Sequence, residues 1–137
     1  MQFMMILKST AHSEAGGGLD PRLGAAINEQ AERDKRTGKL VVTGALLPSS
    51  KGARVAVANG NVSVTDGPFS ETKELVGGFA IMEAASREEA IEGAKAFMQL
   101  YADVLGPSYE GQIEVRPLMM PAYINERCVE AQGTAKK

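Results

Sequence analysis

Apolar positions along the chain recur with two different periods, and the switches between them mark out the elements. Phe3 to Leu7 is a nearly continuous apolar run, as expected of a central strand. Ser9 to Gly18 is small, polar and glycine-rich, so it is read as a loop. Asp20-Pro21 then opens a helix, with Asp20 as cap and Pro21 at the first helical position. Leu23, Ala26, Ile27 and Ala31 give that helix an apolar side, and Thr37-Gly38 ends it. Leu40 to Leu47 is the second strand, closed by Pro48.

After the polar turn Ser49-Ser50-Lys51-Gly52 the period becomes two. Val55 and Val57 alternate with Arg54, Ala56 and Ala58; beyond Asn59-Gly60, Val62 and Val64 alternate with Asn61, Ser63 and Thr65. Asn-Gly between two alternating runs predicts a tight hairpin. Leu75 to Ala84 is a further buried strand, with Gly77-Gly78 marking a bulge or a close backbone approach. Ser86-Arg87-Glu88-Glu89 fits a helix-capping box, and Ala90, Ile91, Ala94, Phe97, Met98, Tyr101 and Leu105 follow at helical spacing. Gly106-Pro107 stops that helix, and Ile113, Val115 and Leu118 belong to the last strand.

The order is strand, helix, strand, inserted hairpin, strand, helix, strand. Without the hairpin it is βαββαβ, a ferredoxin-like α+β fold over residues 1–120, followed by a loose or partner-held tail over 121–137. Two helices cover one face of such a sheet, so a second copy is expected on the other, as a two-fold homodimer.

Composition narrows the function classes. Of 137 residues 44% are apolar and 23% charged, with net charge −2, so no electrostatic footprint for nucleic acid exists. One cysteine, Cys128, and one histidine, His12, exclude an internal disulfide and make a protein-only zinc site improbable. No segment is apolar for long enough to cross a bilayer, and the first residues read as a strand without a basic leader. A cytoplasmic protein without metal or cofactor is expected.

The richest chemistry lies in Asp66-Gly67-Pro68-Phe69-Ser70-Glu71-Thr72-Lys73, a rigid turn at a strand end. Asp66 is a candidate general base, or else the carboxylate that ties up amides within the turn. His12, a residue type suited to acid–base work near neutral pH, is the second acid–base candidate, against a solvated loop histidine. Lys8, Ser13 and Glu14 at the end of the first strand, with Ser70, Thr72 and Lys73, are candidate ligand contacts. Lys8 and Arg116 suit an anionic ligand; the plainer readings are ion pairs and solvated strand positions.

The turn resembles the signature of the DGPF family within the YCII-related superfamily. Met4-Met5-Ile6-Leu7-Lys8, Ser13-Glu14-Ala15-Gly16, Leu47 to Arg54 and Ile113-Glu114-Val115-Arg116-Pro117 extend the resemblance over most of residues 1–120. It implies a dimeric α+β barrel with a pocket near Asp66 and the first loop. Some DGPF proteins accompany extracytoplasmic-function sigma factors, and a few superfamily relatives are lyase-like enzymes with a His–Asp dyad. His12 does not match the dyad position, so that activity is not carried over. Two functions stay open: a cofactor-independent lyase or isomerase using Asp66 with His12 or Lys8, and a non-catalytic ligand-binding or regulatory protein using the same pocket.

Overall fold

A computed structural model of the protein describes residues 1–119. Strand β1 (Gln2–Lys8) leads through a short helix α1 (Ala11–Glu14) to helix α2 (Pro21–Arg36) and strand β2 (Leu40–Ala45). The ribbon β3 (Ala53–Ala58) and β4 (Asn61–Asp66) follows, then β5 (Val76–Glu83), helix α3 (Arg87–Leu105) and β6 (Ile113–Pro117). Four strands form one antiparallel sheet in the order β2-β5-β1-β6, and the ribbon stands apart as a second sheet. This is the ferredoxin-like βαββαβ arrangement with an inserted hairpin.

Alternation along β1 decides which face is inside. Phe3 is fully buried and Met5 nearly so, packed with Ala84 and with Ala90 and Ala94 of α3. Small alanines let the helix approach closely enough to enclose the phenyl ring. Ala80, Met82, Ile113 and Val115 surround this cluster from the neighbouring strands. The opposite face carries the row Val42, Ile81, Met4, Arg116 and the row Gly44, Phe79, Ile6, Glu114. Its apolar members are half-buried or exposed because both long helices lie on the other side.

The helix ends follow their sequence signals. Asp20 Oδ1 accepts the Arg22 amide at 2.8 Å, and Pro21 starts α2. Ser86 Oγ accepts the Glu89 amide at 3.1 Å, while the Glu89 carboxylate accepts from Ala85 at 2.9 Å, one residue before the usual reciprocal partner. Asn59 and Gly60 have φ of 53° and 78°, the pair of positive values a type I′ turn requires. β5 slips register opposite Leu7 and Lys8, as the Gly77-Gly78 pair suggested.

Two expectations change. β2 stops at Ala45 rather than Leu47; the last ladder bond is Leu46 N–H to Gly77 O at 2.9 Å, after which Leu47 is left exposed. The loop after β1 contains the helical turn α1. Thr10 Oγ1 accepts the Ser13 amide at 3.2 Å, and Ser13 Oγ accepts the Thr10 amide at 3.1 Å, a reciprocal cap built from two hydroxyls. Among the described residues no helix is long and apolar enough to cross a membrane. The tail expected over 121–137, with Cys128, lies outside the described residues.

Candidate functional site

Helix α1 is held in place from its far end. The Glu14 carboxylate accepts from Ser49 twice, from the amide at 2.7 Å and from the hydroxyl at 2.6 Å. Ser49 Oγ in turn accepts the Phe69 amide at 3.0 Å, so one serine joins α1 to the turn after β4. Gly67 of that turn lies against the Ser49 carbonyl so closely that no side chain fits there, and its amide donates to Gly52 O at 3.0 Å. Phe69 supports Arg54, whose guanidinium sits 3.9 Å from the ring centroid and 3.7 Å from Glu71.

The latch fixes the loop that bears His12. His12 Nε2 lies 3.0 Å from Gly18 O, and its ring lies on Gly17, where a Cβ would run into it. A carbonyl only accepts, so Nε2 carries the proton of the neutral ring and Nδ1 is left as its acceptor. His12 is exposed, at the rim of a cavity of about 1270 Å³ between the sheet and helices α2 and α3. That is larger than the roughly 300–1,000 Å³ of most ligand pockets.

Leu7 and Leu40 from the sheet and Leu23 and Ile27 from α2 make part of the wall apolar. An aromatic run forms another part. Phe97 and Tyr101 have ring centroids 5.3 Å apart, as do Tyr101 and Tyr109. Burial pushes the Tyr101 hydroxyl up to about 12, with Tyr109 beside it adding to the effect, and burial raises Tyr109 as well. Both phenols therefore stay neutral at physiological pH. Among the described residues no group of three His, Cys, Asp or Glu side chains is placed to hold a metal ion.

The model of the YCII-related domain matches residues 1–104, most of the chain. The chain belongs to the YCII-related family. A YCII-sized stretch of 101 residues is also 33% identical to an uncharacterised protein of Rhizobium meliloti (strain 1021), covering 74% of this chain and 77% of that one.

In this YCII-related protein the candidate residues divide into separate groups. Lys8, His12 and Ser13 line the cavity. Glu14 belongs to the latch, bound to Ser49. Asp66 pairs with Ala53 at the base of the ribbon, is exposed, and does not line the cavity. Ser70, Thr72 and Lys73 likewise lie outside the lining, beside Glu71, whose carboxyl is lowered by its own amide, by Ser70 and by Arg54. Arg116 stands on the open sheet face, 3.5 Å from Glu114, and Lys8 reaches the same carboxylate at 3.4 Å. Ser49 and Gly17 were not read as site residues: a partner 35 positions from Glu14 leaves no periodic trace.

Glu14 gives this protein an acid-sensitive joint. The Ser49 hydroxyl first, and its amide second, hold the Glu14 carboxyl below its ordinary value of 4.5. A depressed folded value means that the stabilisation is whole above pH 4.5 and is lost as pH falls through the folded value. Glu14→Gln keeps the shape but loses the charge. Thermal melting should show a gap between wild type and Glu14→Gln that is widest near neutrality and closes below pH 4.5. A gap constant with pH would show that the carboxylate charge contributes nothing.

Proposed function

We propose that this protein binds a small, mostly apolar and uncharged organic molecule in the cavity between α2, α3 and the sheet, and that His12 exchanges protons with it at the rim. The cavity itself carries this reading: a large space with a mostly apolar wall and an aromatic run is the usual form of a small-molecule site. An anionic ligand fits less well. Lys8 is already paired with Glu114 and Asp20 with Arg22, whereas Asp34 and Glu110 add negative charge to the lining. The neutral Tyr101 and Tyr109 hydroxyls suit a carbonyl or hydroxyl group on the ligand.

Proton transfer by His12 would make the protein a cofactor-independent isomerase or lyase, with Nδ1 as base. Asp66, outside the cavity, then has the structural role at the base of the ribbon. The bare sheet face with Met4, Ile6, Phe79 and Ile81 is covered in this reading by a second copy.

The neutral fluorophore N-phenyl-1-naphthylamine tests the site. Its fluorescence should rise saturably with the wild type and fail to rise with Ala31→Trp, which fills the space beside α2 while its circular dichroism stays native. Equal binding by both proteins sinks the cavity reading. A panel of neutral cyclic ketones in deuterated water then tests His12. Exchange at the carbon beside the carbonyl, lost in His12→Asn with fluorophore binding kept, supports catalysis; binding without exchange assigns the cavity to sensing.

A further inference from the structure

Ala90, Ala94 and Tyr101 are the buried residues of α3. A phenylalanine, as at position 97, would serve as well at position 101 if packing were all that was required. Tyr101 instead brings a hydroxyl, on a residue only 7% exposed. Buried tyrosine hydroxyls usually have a hydrogen-bond partner. This one has none among the described residues: burial and the neighbouring Tyr109 raise its proton affinity, and no hydrogen bond contributes. Among those residues no fully enclosed side-chain nitrogen or oxygen lacks a partner, so the Tyr101 hydroxyl is not sealed in. It opens on the cavity that Tyr101 lines. Tyr109 differs. It is half-buried, and its hydroxyl end lies over Gly111, where a Cβ would strike it.

We propose that the Tyr101 hydroxyl donates to the carbonyl oxygen of a neutral carbonyl compound and so sets the class of ligand; this assignment rests on the reading of the cavity as a ligand site. A carbonyl oxygen only accepts, which suits a hydroxyl that keeps its proton and has nothing to give it to. A hydrocarbon of the same shape would shut water away from the hydroxyl and leave the donor bare, at its full desolvation cost. A carboxylate would meet Asp34 and Glu110 in the lining. The rings of Phe97 and Tyr101, 5.3 Å apart, give an aromatic or alicyclic body a surface to lie on. Both ends of the loop that bears His12 are tied to the segment after Tyr101. The Lys8 amide donates to Gln112 O at 2.9 Å, and Arg22 Nη2 reaches Val104 O at 3.5 Å. A carbonyl held by Tyr101 therefore lies at the His12 end of the cavity.

Acetophenone and α-methylstyrene differ only by an oxygen in place of a methylene group, and each can compete with N-phenyl-1-naphthylamine for the full chain. The ratio of their affinities is taken within each protein, so a change in fluorophore affinity cancels. The preference for the ketone should fall about tenfold or more from wild type to Tyr101→Phe, and by less in Tyr109→Phe. Both variants keep the ring, so circular dichroism should stay native. An unchanged ratio, competition by neither compound, or a larger fall in Tyr109→Phe overturns the assignment while the cavity stands. Loss of the fold in Tyr101→Phe also overturns it, because the hydroxyl would then be holding the structure. A wild type that fails to bind the fluorophore strikes the cavity reading instead, and the assignment falls with it.

Discussion

Gly67→Ala should destabilise the protein by about 2–4 kcal/mol, far more than an added methyl group usually costs on a surface turn. The new Cβ would land on the Ser49 carbonyl and 2.6 Å from its carbon, so backbone must move. Gly67 cannot retreat freely, since its amide is bonded to Gly52 O at 3.0 Å. Displacing Ser49 then strains both of its bonds to Glu14 and the one from Phe69. Gly52→Ala is the control, because a Cβ there meets the same Ser49 carbonyl at an ordinary 3.6 Å and its φ of −112° suits any residue. Urea unfolding of the two variants reads the difference. Identical midpoints would mean that the turn yields without cost.

Phe3→Ala should lose about 3–5 kcal/mol, a large share of the roughly 5–15 kcal/mol that holds a domain of this size together. Phe3 is 0% exposed and sits on the central strand between Met82 and Pro117. Its neighbours on α3 are Ala90 and Ala94, which have no spare side-chain reach to fill the space left behind. Phe3→Leu, which keeps most of the volume, should lose less than half as much. Urea midpoints at unchanged slope would measure both; a loss below about 1 kcal/mol for Phe3→Ala would place the core elsewhere.

The fold was largely legible because its signals are local. Asn59-Gly60 between alternating valines, Asp20-Pro21 and Ser86 with Glu89 each act within a few residues, and each appears in the structure where the pattern put it. The site was less legible because it is made by contacts distant in sequence. Glu14 looked like a ligand contact and is instead bound to Ser49, 35 residues away. Asp66 looked like a pocket residue because β4 ends where β1 also ends. The ribbon, however, forms its own sheet, and its base stays outside the cavity. Phe97 and Tyr101 fitted a helix stripe, as core residues do. That the same stripe also lines an empty space depends on how far α2 stands from the sheet, which no helical period encodes.

The placement of β1 also sets the order in which the molecule can be made. Phe3 leaves the ribosome well before its two strand partners, Met82 and Pro117. At the roughly 5–20 residues per second of synthesis, the apolar segment Phe3–Leu7 waits several seconds for β5 and longer for β6. Neither α2 nor β2, which emerge in the interval, can cap its hydrogen bonds, since β2 pairs with β5 and not with β1. The sheet therefore closes only once β5 has emerged to join β1 to β2, with β6 added last, and until then the nascent chain carries an apolar strand unpaired.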